Sequence, residues 1–241
     1  MRTILWFLYF WLYLIVLWPI HLYTMHLRRK GELAQHDRIT RSVVGKWARR
    51  LIRLAGARVT VEGLENLPEG PAVYVANHLG YFDIPLVLGY LGGDTKPLVA
   101  KKEIKKIPMI RGWMEELHCV FIDRENPRAA VAALGEAAEW VAQGYSMVIF
   151  PEGTRSKTGE MGEFKGGAFK IAQKNKVPVV PCCICGTENL MERNGYWIRP
   201  AKIALKVLPA IETENYTREE WRTLPALAEQ KVREGLAEMP R

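Results

Sequence analysis

PAVYVANHLGYFDIP, residues 71–85, holds a complete strand–loop–helix transition. Ala72–Ala76 is a short apolar run carrying β-branched and aromatic residues, which predicts a buried strand. A polar loop with Gly80 follows. Ile84-Pro85 then opens a helix, because proline is tolerated in a first turn. The same alternation continues on both sides. Strand-like runs lie at 58–62, 97–100, 119–122, 146–150, 177–184 and 202–208. Helical stretches fall between them. Pro127 and an Ala-rich run to Gln143 form one, with Asn126 as N-cap and Gly144 as stop. Residues 166–174 form a shorter one, and Thr217 with Glu220 makes a capping box that opens a C-terminal helix. This pattern predicts an α/β fold: a single domain over residues 56–241, with a mostly parallel or mixed central sheet flanked by helices.

Residues 1–55 read differently. Thr3 to Leu27 contains no charged side chain, yet holds eight of the chain's 24 aromatic residues. The apolar run Ile4–Ile20 would form a helix of ~26 Å, near the hydrocarbon thickness of a bilayer. A cleaved signal peptide needs small residues at its cleavage site, and the first Gly and Ala are Gly31 and Ala34. A buried core helix is disfavoured because core helices seldom carry so many aromatics around the whole circumference, which leaves two membrane readings, a single span ending near Pro19 and a helix that enters one leaflet and returns. The aromatics are spread along the run, which favours shallow insertion.

The following segment is basic, and Ile39, Val43, Trp47, Leu51 and Leu54 form an apolar stripe along it. Either the stripe packs on the domain or the helix lies on anionic lipid with its arginines at the phosphates. The directly preceding apolar anchor favours the lipid.

Charge distribution supports the division. Of the net +8, residues 1–53 carry all, with ten Lys/Arg against two acids, and residues 54–241 balance. A nucleic-acid partner would call for the excess on the folded body, so none is expected. The Lys/Arg excess after the apolar run predicts a cytoplasmic-membrane protein with its main domain on the cytoplasmic side. Cys119, Cys182, Cys183 and Cys185 lack the spacing of a zinc site and read as buried free thiols in a reducing compartment.

The chemistry-bearing residues follow strands. His78 and Asp83 stand five apart after the strand of 72–76. Asp83 could merely cap the helix. Alternatively, its carboxylate orients His78 as a general base that deprotonates an attacking hydroxyl. The three serines, Ser42, Ser146 and Ser156, include no partner nucleophile within the His–Asp motif. Direct transfer to a substrate hydroxyl is therefore favoured over a covalent hydrolase.

Arg124 follows the strand CVFI, and Glu152, Gly153, Thr154 and Arg155 follow MVIF. Arg124 and Arg155 suit a bidentate phosphate clamp. Lys101, Lys102, Lys105 and Lys165 add cations, and Gly153 lets backbone approach a ligand. Glu152 has a second reading, as an ion-pair partner of Arg124 or Arg155. Together these groups predict an anionic substrate.

NHLGYFD, VFIDR, FPEGTRS with FKGG, and VPVVPCCI resemble, in order and spacing, the four motif blocks of the glycerolipid acyltransferases. The match is nearest to the 1-acyl-sn-glycerol-3-phosphate (lysophosphatidate) acyltransferases. The resemblance implies acyl transfer from an acyl carrier protein or coenzyme A thioester to the 2-hydroxyl of lysophosphatidic acid, giving phosphatidic acid. It implies His78 as base, Asp83 as its partner, and Arg124, Glu152 and Gly153 at the glycerol-phosphate site. Pro181 matches the proline of the fourth block. No metal or redox cofactor is implied, because a thioester is already activated. Another acyl acceptor, such as glycerol 3-phosphate, is the alternative, and a lipid hydrolase or thioesterase is a more distant one. The second block departs from the family pattern at ELHC, residues 116–119.

Overall fold

The computed structural model describes residues 1–92, 96–156 and 158–239. All seven strand-like runs form strands, each within a few residues of its expected ends: β1 (Arg58–Glu62), β2 (Val73–Ala76), β3 (Val99–Lys101), β4 (Val120–Ile122), β5 (Met147–Ile149), β6 (Val179–Cys185) and β7 (Lys202–Val207). Five of them make one sheet in the order β1-β7-β6-β2-β5. β6 and β7 pair antiparallel, and the other neighbours pair parallel. β3 and β4 form a parallel pair that joins the edge of β5 through a parallel bridge between Leu98 and Val148.

This topology fixes where the loops gather. β6, β2, β5, β3 and β4 all run the same way, so their C-terminal ends lie on one edge. The central strands β2, β5 and β6 are apolar nearly throughout, as burial on both faces requires, whereas β1 and β7 alternate. Val73, Val75 and Val179 are fully buried on one face, and Val180 and Ile184 on the other.

Helices cover both faces: α4 (Asp83–Tyr90), α5 (Pro108–Glu116), α6 (Pro127–Ala142), α7 (Lys170–Asn175) and α8 (Arg218–Ala237). Asn126 caps α6 by accepting from Ala129 N at 3.2 Å, and the Thr217–Glu220 capping box opens α8. Cys119, Cys182 and Cys183 are buried free thiols, while Cys185 is half-buried. Burial pushes the Cys119 and Cys183 thiols up to about 12, so they are inert at neutral pH.

The N-terminal run breaks into α1 (Arg2–Val16) and α2 (Trp18–Lys30), bent by 48° at Leu17. Pro19 is the cause, since its ring and missing N–H disfavour a continuous helix through residues 15–19. Among the described residues no single helix is long and apolar enough to cross a membrane, although the bent pair together has the length and composition. α1 runs antiparallel along α3 (Leu33–Ala55): Arg2 Nη1 donates to Ala55 O, Trp6 Nε1 donates to Leu51 O at 2.9 Å, and Phe10 meets Trp47. The other side of α1 leaves Ile4, Leu8, Leu12, Ile15 and Val16 more than half exposed.

The basic helix differs from expectation. Its buried positions are His36, Thr40, Val44, Gly45, Ala48, Leu51, Ile52 and Ala55, mostly one residue away from the expected stripe. α3 packs against α4 and α1. Of the expected stripe, Leu51 is buried, Ile39, Val43 and Trp47 are half-buried and Leu54 is exposed, so protein covers part of it. The basic side chains Arg38, Lys46 and Arg53 remain on the outer surface.

Candidate active site

β2 delivers the chain to the site edge, and Asn77 locks it there. Asn77 Nδ2 donates to Ile184 O at 2.9 Å and its Oδ1 accepts from Ile184 N at 2.8 Å, fastening β2 to β6 beyond the last ladder pair. His78 follows, with its ring stacked on Phe150 at 4.2 Å. Its Nδ1 lies 2.6 Å from Asp83 Oδ2. Asp83 is fully buried at the first turn of α4. It does not cap that helix. Its Oδ2 instead accepts from Leu79 N at 2.7 Å and Gly80 N at 2.9 Å, while Thr187 donates its hydroxyl to Oδ1. These donors hold the carboxylate in place, and as an acceptor facing Nδ1 it calls for the ring tautomer with N–H on Nδ1 of His78 and the lone pair on Nε2. The His78 side chain is 15% exposed.

Glu152 occupies the end of β5. Its Oε1 accepts from His78 N at 2.7 Å and its Oε2 from Gly162 N at 2.8 Å. Burial pushes the Glu152 carboxyl above its ordinary range, with the two N–H donors and nearby His78 pulling the other way. The carboxylate thus ties the His78 loop to the long loop after β5 and folds that loop back on itself, and neither Arg124 nor Arg155 is its ion-pair partner. Ser156 N donates to His78 O at 2.8 Å, closing the same junction. Gly153 has φ +74°, and a Cβ there would meet Lys165 Nζ at 3.0 Å. Glycine therefore brings both the backbone and the Lys165 ammonium close.

Arg155 pairs with Glu192 at 3.3 Å, and its guanidinium lies 3.7 Å from the centroid of the Tyr81 ring. Arg124 emerges from β4 on the same edge as His78, exposed, with Glu103 as its electrostatic neighbour. Three strand spacings separate β2 from β4, roughly 14 Å. Thr154 is exposed beside Gly153. A base with a free lone pair, flanked by Lys165, Arg155 and the strand end that bears Arg124, can deprotonate a hydroxyl on an anionic molecule.

The family model for acyltransferases matches residues 58–185. The chain belongs to this family. The crystal structure of the 1-acyl-sn-glycerophosphate (LPA) acyltransferase PlsC from Thermotoga maritima superposes with a TM-score of 0.85 at 32% identity, covering 98% of this chain and 94% of that one. The 1-acyl-sn-glycerol-3-phosphate acyltransferase of Cocos nucifera is 35% identical over 192 residues, 79% of this chain and 59% of that protein. The chloroplastic enzyme of that name from Brassica napus is 44% identical over 137 residues, 56% of this chain and 39% of that protein. The chain thus spans between two fifths and three fifths of the length of these curated relatives.

Within this acyltransferase fold, the remaining lysines are dispersed. Lys101 lies 3.5 Å from Glu103 and Lys102 lies 2.8 Å from Asp123. Lys105 sits 5.0 Å from the centroid of the Phe121 ring. It lines a surface cavity of about 220 Å³ with Arg28, His118 and Trp140.

The unusual ELHC stretch precedes β4, at the opposite end of the strands from His78. There Glu116 and His118 join His36 and Asp37 in a buried network. His36 Nδ1 lies 2.8 Å from Asp37 Oδ1 and its Nε2 lies 3.0 Å from Glu116 Oε2. His118 Nε2 and Tyr145 OH also reach Asp37, at 3.1 and 2.6 Å, and Arg28 pairs with Glu116 at 3.1 Å. Burial alone would lower His36, but its two carboxylate partners outweigh it and raise the ring to about 9. His36, Asp37 and His118 are metal-type ligands grouped within 4.8 Å. Their hydrogen bonds already satisfy Asp37 and both His36 nitrogens, so the group reads as a brace between α2, α3 and the sheet.

Thr187 and Glu192 are missed by sequence reasoning. Both lie beyond the matched family region, in short 3-10 turns after β6. Neither has a motif to mark it.

Proposed function

We propose that this chain transfers a fatty acyl group from a thioester, carried by an acyl carrier protein or coenzyme A, to the 2-hydroxyl of lysophosphatidic acid, yielding phosphatidic acid. The observation that carries the reading is the His78–Asp83 pair at 2.6 Å, with no hydrogen-bond partner for Nε2 among the described residues, on an edge that also bears Arg155, Lys165 and Arg124. The activities for which the relatives are named point to the same acceptor.

In this mechanism Nε2 of His78 takes the proton from the acceptor hydroxyl as its oxygen attacks the thioester carbonyl carbon. The C–S bond breaks when the tetrahedral adduct collapses, and the imidazolium returns its proton to the departing thiolate. Asp83 steadies the imidazolium by accepting from Nδ1–H. Arg124, Arg155 and Lys165 bind the phosphate, which carries nearly two negative charges. Glu152 keeps the His78 and Gly162 backbones in register rather than touching substrate. The chemistry draws on the thioester's own activation and needs no cofactor.

The lipid substrates call for a membrane surface. The exposed apolar side of α1 supports insertion into one leaflet, because its 15 residues extend only about 22 Å against ~30 Å of hydrocarbon. Arg29 and Lys30, exposed at the end of α2, would meet anionic headgroups from the cytoplasmic side, while Arg28 is engaged by Glu116.

The test is an acceptor panel with purified protein in detergent micelles: lysophosphatidic acid, glycerol 3-phosphate and neutral lyso-lipids, each with acyl carrier protein and coenzyme A donors. Phosphatidic acid should form fastest from lysophosphatidic acid. Faster acylation of another acceptor, or equal release of free fatty acid without acceptor, would overturn the assignment.

A further inference from the structure

Glu192 stands outside every motif block, yet it touches two of them. Its Oε1 accepts from Tyr81 N at 2.6 Å, in the His78 loop, and from Arg155 Nη1 at 3.3 Å, in the loop after β5. Its Oε2 is buried and has no hydrogen-bond partner among the described residues. A Cβ on Gly80 would meet that oxygen at 2.7 Å, so the loop closes on the carboxylate with no room to spare.

Arg155 is held from two sides. Tyr81 presents its ring face 3.7 Å from the guanidinium carbon, and Glu192 takes one N–H of the fork. Tyr81 is itself half exposed, and the Arg155 side chain is 33% exposed. One face and one edge of the guanidinium are therefore spent inside the protein, while other N–H groups of the planar fork remain for a ligand. A guanidinium clamped this way presents its donors in one orientation, which is what bidentate binding of phosphate requires. A half-satisfied buried carboxylate is an expensive structural ornament. Its cost is understandable if the charge sets the direction of Arg155.

Building on the proposed acyl transfer, we propose that Glu192 is a positioning residue for the phosphate of the acceptor, acting through Arg155 with Tyr81 as the platform. The carboxylate does two separable things. Its oxygen accepts the Tyr81 N–H, which an amide oxygen can also do. Its negative charge draws in Arg155, which a neutral amide does far more weakly.

The experiment is steady-state kinetics on full-length protein in micelles, varying lysophosphatidic acid and acyl thioester separately, for wild type, Glu192→Gln, Arg155→Ala and the double variant. Glu192→Gln should raise KM for lysophosphatidic acid at least fivefold, with a much smaller change in kcat and none in KM for the thioester. In the Arg155→Ala background the same change should raise KM no further, because the group it positions is gone. Matching melting curves establish that each variant is folded. Should Glu192→Gln fail to fold, Tyr81→Leu carries the test, with the same non-additivity expected against Arg155→Ala. An unchanged acceptor KM, an effect confined to kcat, or full additivity with Arg155→Ala overturns the inference. Absence of phosphatidate formation by the wild type would instead remove the underlying acyl-transfer reading.

Discussion

Replacing Asp83 by Asn isolates the charge of the dyad from its shape. Asp83 Oδ2 takes three donors, from His78 Nδ1, Leu79 N and Gly80 N, and Oδ1 takes the Thr187 hydroxyl. An asparagine with its oxygen at the Oδ2 position keeps the first three, and the Thr187 hydroxyl can rotate to accept from the new NH₂. The tautomer of His78 therefore survives. What is lost is charge assistance, about 1 kcal/mol for each of three bonds, the difference between charged and neutral hydrogen bonds. A loss of about 3 kcal/mol should lower Tm by roughly 6–12 °C in a protein of this size. Catalysis suffers more, because nothing then stabilises the imidazolium that forms during proton transfer. General-base assistance contributes roughly 10²–10⁴ in rate, and most of it should vanish from kcat while KM for lysophosphatidic acid moves little. The assay pairs thermal melting in detergent with initial rates of phosphatidate formation below the new Tm. If kcat stays within threefold of wild type while Tm drops as expected, the carboxylate is a loop brace only and the dyad reasoning is refuted.

Other perturbations probe the remaining contacts. Trp6→Ala should cost about 3–5 kcal/mol, because this buried ring touches Phe82, next to Asp83, and bonds Leu51 O; limited proteolysis would then release α1 before the sheet unfolds. His36 faces Asp37, Glu116, His118, Arg28 and Tyr145, and its folded-state value of about 9 exceeds the ordinary 6.5. Its contribution, up to about 3 kcal/mol, should be complete below pH 6.5 and fade as pH rises towards 9; the Tm gap between wild type and His36→Gln should narrow across that window, and a widening gap would contradict the sign. Gly153→Ala should lose activity and about 1 kcal/mol of stability or more, from its left-handed backbone and the Lys165 ammonium 3.0 Å from the new Cβ; kinetics and melting curves check both.

The elements were legible in the sequence because each is a local matter. Seven apolar runs, one Asn cap and one capping box announce themselves within a few residues. The same holds for His78 and Asp83, which are five apart and carried by one loop. Sheet order was not legible, since nothing local tells β7 to pair antiparallel with β6 rather than parallel. The break at Leu17 was half visible through Pro19. The apolar stripe legible in the sequence of α3 lies about a third of a turn from the buried face, because Gly45 and Ala48 lie against α4 without looking apolar enough. Thr187 and Glu192 were invisible for a different reason. They meet Asp83 and Arg155 across 104 and 37 residues of chain, and only the folded sheet edge brings them together. ELHC stands out in the sequence as a departure from the family pattern, and only its partners His36 and Asp37, far away in the chain, give it a structural role.

The most direct measurement of the central claim is the initial rate of phosphatidate formation from lysophosphatidic acid and an acyl thioester by wild type and His78→Ala under identical micelle conditions. The account predicts turnover by the wild type and a fall of at least about 10²-fold in the variant, with the melting curve little changed. Phosphatidate formation by His78→Ala at a rate near that of wild type would contradict it.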